Sequence, residues 1–352
     1  MRIRRDKNFL SFFDEKTGNY IRTGVIKNSK DSGEEPFMAS FPELLDVGIM
    51  GHCTHGKSGL CIKSGVECYQ DGLHSDAPNM TVENFSVIAE QCAGKTFQFA
   101  LGGCGDPDQH ENFRDLLEIC RANKIVPNFT TSGWGLTEKI ARVCKEFCGA
   151  VAVSWYRSEY TLRAINFLLG AGVKTNIHYV LQKDTLAEAL ERLKNETFPM
   201  GINAIVFLLH KPVGLGSAKK MIRLDDENFQ AFIKYVGSSK HYKIGFDSCT
   251  VPALLQSPGD IALESLDTCE AARWSAYVTP DLKLLPCSFD NQNQRWTVNL
   301  REHSIQDAWN SSTFEDFRNQ FRRVCPNCEK RNFCLGGCPI LPEIVLCPRK
   351  HD

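Results

Sequence analysis

The chain has 352 residues, of which 42% are apolar and 24% charged, and a formal net charge of −1. That is the profile of a globular protein with a sizeable core, and such an even balance makes neither nucleic acid nor an acidic membrane surface an expected partner. The opening MRIRRDKNFLSFFDEK lacks the apolar run of a secretory signal, and nowhere do about 18 apolar residues follow one another as a bilayer span requires. A cytoplasmic location is expected, where thiols stay reduced.

Residues 1–42 are short, mixed and polar. Asp14 to Gly18 reads as a turn between two strands, and Lys27 to Gly33 as a loop. From 43 to 237, short apolar runs alternate with segments of helical period. The runs are LLDVGIM (44–50), TFQFALGG (96–103), VPNFTTSG (126–133), GAVAVSW (149–155), VKTNIHYVL (173–181) and NAIVFLLH (203–210). Between them, VENFSVIAEQC, NFRDLLEICRAN, LTEKIARVCKEF, YTLRAINFLLGAG and LAEALERLKN put apolar residues near i, i+3, i+4 and i+7. Cys92, Cys120, Cys144 and Cys148 fall on these stripes and read as small buried hydrophobes. Six β-then-α units imply an α/β fold with a parallel sheet, too few for a closed eight-stranded barrel. A partial, three-quarter (β/α)6 TIM-like barrel or an open sheet is expected. Residues 238–352 are loop-rich and dense in Cys, Pro and Gly, with one helix-like run from Ser304 to Phe321. Their apolar periodicity is too weak for a separate core, so metal is expected to hold them. The basic run from Arg318 to Arg331 reads as a solvated face.

Most of the 16 cysteines fall into two dense sets. Cys53, Cys61 and Cys68 follow the first expected strand in a loop that also holds Gly51, Gly56, Gly59 and Gly65. Loops at the C-terminal ends of parallel strands carry the chemistry of such sheets. Three thiolates suit a 4Fe–4S cluster with one iron left open, and the glycines let the backbone wrap it closely. The second set is Cys325-Pro-Asn-Cys328, Cys334, Cys338 and Cys347, preceded by Cys249, Cys269 and Cys287. Zinc is the other metal that such groups of thiolates serve. His52, His55 and His74 flank the first set, and Cys104 stands as a substitute ligand; loop histidines are ordinarily exposed.

Taken in order, these segments resemble the radical S-adenosylmethionine (SAM) superfamily. Gly103-Cys-Gly105-Asp106-Pro107 looks like the family's Gly-Gly-Glu-Pro motif, which receives the SAM ammonium, and Thr130-Thr-Ser132-Gly133 resembles the segment ending its third strand. By the same resemblance Ser154, Asn176 and His178 are expected near the ribose and carboxylate of SAM, and Lys211-Pro-Val-Gly214 near the adenine. The loop departs from the family pattern: seven and six residues separate its cysteines where the family has three and two. Glu67 also stands where an aromatic belongs, with Tyr69 just after. The second set resembles the SPASM extension of radical SAM enzymes, including Pro280-Asp281-Leu282 before Cys287 and Ile305 to Trp309 between the halves. That resemblance implies two auxiliary 4Fe–4S clusters, one on Cys249, Cys269, Cys287 and Cys338 and one on Cys325, Cys328, Cys334 and Cys347, and so three clusters in all.

What the resemblance implies is an oxidoreductase-type radical SAM enzyme. It would generate a 5′-deoxyadenosyl radical to take hydrogen from a peptide or protein, in the manner of ribosomal-peptide maturases, with a flavodoxin or ferredoxin as reductant. Sulfatase-maturing relatives carry a proton-accepting Asp directly after the second upstream cysteine; here Ser288 follows Cys287 and Asp290 is displaced. Residues 1–42 are too few for a leader-binding module of the kind peptide-modifying relatives often carry. A small-molecule substrate undergoing dehydrogenation or rearrangement is the second reading. The third is a non-catalytic iron–sulfur protein for electron transfer or interaction, whose widened loop has lost SAM chemistry.

Overall fold

The computed structural model describes residues 1–238, 241–256, 261–262, 265–323, 325 and 327–348. The chain opens with an antiparallel sheet of β1 (Arg2–Arg5), β2 (Leu10–Phe13) and β3 (Tyr20–Arg22). The Gly18 N–H donates to the Asp14 carbonyl at 2.7 Å and closes the expected turn. The expected loop after Lys27 is instead a small hairpin, β4 (Ile26–Lys27) and β5 (Lys30–Asp31). Its two turn residues, Asn28 and Ser29, have φ of 51° and 63°, the left-handed pair whose twist suits a two-residue hairpin.

The apolar runs then form β6 (Leu44–Met50), β7 (Gln98–Gly103), β8 (Val126–Thr131), β9 (Val151–Ser154), β10 (Thr175–Leu181) and β11 (Ala204–Leu209). All six are parallel neighbours in sequence order. Two short helices, α1 (Thr54–Lys57) and α2 (Leu60–Lys63), occupy the loop after β6. The crossovers carry α3 (Val82–Cys92), α4 (Phe113–Ala122), α5 (Glu138–Phe147), α6 (Glu159–Gly170) and α7 (Leu186–Lys194), and α8 (Glu227–Ser238) follows β11. Thr81, Thr137 and Ser158 cap α3, α5 and α6 by accepting backbone N–H bonds from Asn84, Ile140 and Thr161, each worth about 1 kcal/mol. Cys92, Cys120 and Cys144 are fully buried on the helix faces, as expected, and Cys148 is half-buried.

Along the strands, one face packs under the helices and the other faces inward. In β10 the buried positions Thr175, Ile177, Tyr179 and Leu181 alternate with the partly open Asn176, His178 and Val180. The inner face also carries Asp46, Asn128 and Thr130, so the partial barrel has a polar interior rather than a filled apolar one.

The sheet continues into the C-terminal part. β12 (Ile244–Phe246) pairs in parallel with β11, and α9 (Val251–Leu254) follows it. On the opposite side β13 (Ser275–Val278) pairs in parallel with β6, and β14 (Lys283–Leu285) and β15 (Val298–Asn299) extend it antiparallel. The single helix expected between Ser304 and Phe321 is two, α10 (Ile305–Trp309) and α11 (Ser312–Arg318), because Ser304 and Ser311 each accept a backbone N–H bond and start a helix. The last helix is α12 (Arg331–Cys334). As expected, this region builds no separate core; it shares that of the barrel rather than resting on loops alone. Leu284, Trp296, Ile305, Trp309, Phe314 and Phe317 belong to the same apolar cluster as Leu45, Val47 and Phe99 of the barrel. Its aromatic residues are too widely spaced to show periodicity, yet they bury themselves against the barrel. Nor is the basic run wholly solvated: Arg318 is buried and donates to the carbonyls of Ala272 and Trp309. Among the described residues, no helix is long and apolar enough to cross a membrane.

Candidate cluster-binding site

The C-terminal ends of β6 to β11 meet at the loop that carries the first three thiols. Cys53 caps α1: its Sγ accepts the Gly56 N–H at 3.0 Å. Cys61 is buried within α2, and the Cys68 Sγ accepts the Gly72 N–H at 3.4 Å. Gly72 is decisive for the space between them. A Cβ built there would lie 3.5 Å from the sulfurs of both Cys53 and Cys68 and 3.0 Å from the Cys53 Cβ. Two thiols thus face one small volume that a side chain would fill. Burial pushes the Cys53 thiol up to about 12, with the Asp106, Cys68 and Cys104 charges adding to it, and burial and Cys68 raise Cys61 as well. Thiols held neutral this way ionise when a metal takes them. Among the described residues, no three Cys, His, Asp or Glu side chains close on one point as a single metal ion would need.

Cys104, buried beside this space, donates to the Gln70 carbonyl at 3.4 Å. His55 is not the exposed loop residue expected: it is buried, its Nε2 is 3.0 Å from the Tyr160 hydroxyl, and Tyr156 and Trp134 flank its ring. Burial lowers its pKa to about 4, so it is a neutral tether between the loop and α6. His52 lies 3.2 Å from the Ala77 carbonyl, and His74 pairs with Asp71 on the surface.

The residues expected around SAM gather at the same end, with one exception. Gly103 and Gly105, at φ of 106° and 148°, pass so close to the first loop that a Cβ would lie 2.4 Å from the Met50 carbonyl and 2.3 Å from that of His52. This turn aims Asp106 inward, where it accepts the Ser132 N–H at 2.7 Å and the Ser132 hydroxyl. Burial, reinforced by the neighbouring Asp108, lifts Asp106 to about 7. Ser154 lies beside His178 in register, and the His178 Nδ1 is 3.1 Å from the Thr130 hydroxyl. Burial lowers His178 to about 4, so its imidazole is neutral. Asn176 is the exception. It is the second residue of β10 and its side-chain Oδ1 accepts from the Asn203 side-chain amide at 2.7 Å, which puts it at the N-terminal end of the strands.

In the second set, several thiols stand near one another. Cys249, Cys269, Cys287 and Cys338 influence one another electrostatically: Cys338 and Cys269 both act on Cys249 and Cys287, and Cys338 acts on Cys269, all on top of a larger upward push from burial. Cys347 and Cys325 act on Cys334. The Cys328 N–H donates to the Cys325 carbonyl at 3.4 Å. Cys249, Cys269, Cys338 and Cys334 line a common cleft with Pro252 and Ile344.

Residues 269–330 match the family model of the SPASM domain, described as an iron–sulfur cluster-binding domain. The fold is similar to that of Streptococcus suis SuiB bound to S-adenosylmethionine, at 16% identity and a TM-score of 0.67, over 88% of this chain and 77% of that one. SuiB bound to precursor peptide SuiA matches at 15% identity and 0.67, over 89% and 76%. Native anSMEcpe with bound AdoMet matches at 16% identity and 0.60, over 84% and 89%. The chain thus shares the fold of these S-adenosylmethionine-bound structures and carries a SPASM-domain match within its C-terminal part. No curated protein matches it in sequence.

Within the SPASM region, the displaced Asp290 is buried and accepts the Trp296 N–H at 3.2 Å, so it is structural. Two further residues at the thiol-loop end, Tyr156 and Gln70, escaped sequence reasoning, as did the ion pair that Lys211 makes. Tyr156 follows β9 and its phenol, raised by burial, also feels Asp106, Cys68, Cys61 and Cys53. Gln70 keeps a buried amide nitrogen without a partner. Lys211 pairs with Asp247. The lysine and aspartate lie 36 residues apart, and only their positions after β11 and just before Cys249 could have hinted at a meeting.

Proposed function

We propose that this chain is a radical SAM enzyme that modifies a peptide or protein, with SAM and three 4Fe–4S clusters as cofactors. The observation that carries the reading is the space beside Gly72, faced by the Cys53 and Cys68 sulfurs and lying next to Asp106 at the C-terminal ends of parallel strands. Cys53, Cys61 and Cys68 would hold the first cluster. Gly103, Gly105, Asp106, Ser132, Ser154 and His178 would seat SAM, with the Asp106 carboxylate as counter-charge to its ammonium. Cys249, Cys269, Cys287 and Cys338 would hold one auxiliary cluster, and Cys325, Cys328, Cys334 and Cys347 the other. A cluster held in the first loop with SAM would supply the radical chemistry that removes hydrogen from an unactivated carbon.

The chain's own part is to orient, to exclude water and to keep protons where they belong. Tyr156, His55 and Tyr160 wall the thiol loop with rings, and His178 and Thr130 hold one another in a fixed, uncharged arrangement. The peptide reading is supported by similarity in fold to SuiB, solved with precursor peptide SuiA, and to anSMEcpe, solved with the Cp18Cys peptide. With Ser288 after Cys287 and Asp290 committed to Trp296, the sulfatase-type proton acceptor is missing, so a different peptide modification is favoured.

The test uses anaerobically purified protein. About twelve irons per chain are expected, falling to about eight when Cys53, Cys61 and Cys68 are all replaced by alanine. SAM with dithionite should yield 5′-deoxyadenosine from the native protein and none from the triple variant. Full iron loading without that product would leave an electron-transfer protein instead.

A further inference from the structure

Lys211 is one of few buried cations among the described residues, 7% exposed at the junction of barrel and extension. Its ammonium is ion-paired with Asp247 and stands 4.8 Å from the centre of the Phe289 ring. Asp247 is pinned from the other side, accepting the Leu209 N–H at 3.0 Å and the Thr250 hydroxyl at 2.8 Å. Both neighbours of the ammonium lead to cysteines: Asp247 comes two residues before Cys249, and Phe289 two after Cys287. Phe289 in turn packs at 4.8 Å on Tyr69, the residue after Cys68. A continuous line therefore runs from the SAM-side loop through Tyr69 and Phe289 to Lys211 and the SPASM thiols. Lys211 is thus the cation placed between the segments that carry Cys249 and Cys287.

We propose that Lys211 is a positioning charge that raises the reduction potential of the cluster held by Cys249, Cys269, Cys287 and Cys338, making that cluster an electron acceptor. One-electron reduction adds a negative charge to the cluster, and a fixed positive charge in a poorly solvated interior favours the state with more negative charge. The electron comes from the substrate radical as it is oxidised, and no other oxidant is needed. Asp247 works in the opposite sense. Two variants of one ion pair must therefore shift the potential in opposite directions, which a loss of packing would not do.

The inference rests on the proposed four-cysteine site. The experiment is an EPR-monitored redox titration of the fully loaded protein, following the reduced-cluster signal that is missing from a Cys269→Ala, Cys287→Ala double variant. Lys211→Met should lower the midpoint by about 59 mV or more, a tenfold change in the one-electron equilibrium. Asp247→Asn should raise it, and Lys211→Arg should hold it near the native value. If Lys211→Met folds poorly, the upward shift in Asp247→Asn still decides. With that signal present, a midpoint unmoved in Asp247→Asn, or shifted the same way in Lys211→Met and Asp247→Asn, overturns the role of Lys211. An iron count of about eight in the native protein, with no such signal, overturns the four-cysteine site itself and the inference with it.

Discussion

Replacing Gly72 by alanine adds one methyl group in the place where the thiol loop has least room. Gly72 does not have a positive φ, so alanine fits the backbone and any effect is one of space. The new carbon would stand 3.0 Å from the Cys53 Cβ and 3.5 Å from two sulfurs, against about 3.5–4.0 Å for a relaxed carbon–carbon contact. The loop must give by about half an ångström, an overpacking cost of about 1–3 kcal/mol. That is small beside a typical total stability of about 5–15 kcal/mol, so the fold should survive with a slightly lower melting temperature. The cluster should not survive, because the methyl group takes the volume it would occupy. Iron and EPR analysis of anaerobic protein should show a loss of about four irons out of about twelve, with 5′-deoxyadenosine formation abolished. Gly170→Ala, where nothing lies within 4 Å of the new carbon, should change neither. A Gly72→Ala protein that keeps its full iron and still cleaves SAM would refute the assignment of this space.

Asp106→Asn removes the counter-charge for the SAM ammonium. A charge-assisted bond is worth about 1.5–3 kcal/mol, so SAM should bind at least about tenfold more weakly in equilibrium dialysis, with the iron count unchanged. Tyr160→Phe takes away the partner of the His55 Nε2 and should cost about 1 kcal/mol, seen as faster proteolysis within residues 54–66 and a lower melting temperature. Burial raises Asp46 from 3.8 to about 7, so the folded protein holds a proton there that the unfolded chain releases near pH 4. Stability from this group is full below that point and falls as pH rises towards 7. Asp46→Asn should accordingly flatten the decline in melting temperature between about pH 4 and 7.

The barrel was legible because its signals are local and repeated. β6 spans the expected run from Leu44 to Met50, and α3 spans Val82 to Cys92. The thiol loop was legible as a cluster of cysteines, but not in its shape. Two single-turn helices, one capped by the sulfur of Cys53, absorb the extra residues between the cysteines, and four-residue helices leave no periodic trace. Nor could the sequence show that Glu67, standing where an aromatic was expected, turns away to accept the Ser217 N–H at 2.6 Å and to pair with Lys220 at 3.3 Å. Tyr69 meets Phe289 across more than two hundred residues of chain, and Asn176 sits near the start of its strand, two positions before His178. Depth along a strand and pairing across long separations are tertiary facts, and neither composition nor period encodes them.

The pairing of β13 with β6 has a bearing on how such proteins can be taken apart. Severed near residue 238, the N-terminal piece would be left with a bare row of peptide donors and acceptors along its first inner strand, beside apolar surface that Trp309 and Phe314 had covered. An open border of that kind recruits other chains. Shuffling the cysteine-rich segment between scaffolds would thus call for grafting a strand seam along with it, since the two halves share a single hydrophobic interior.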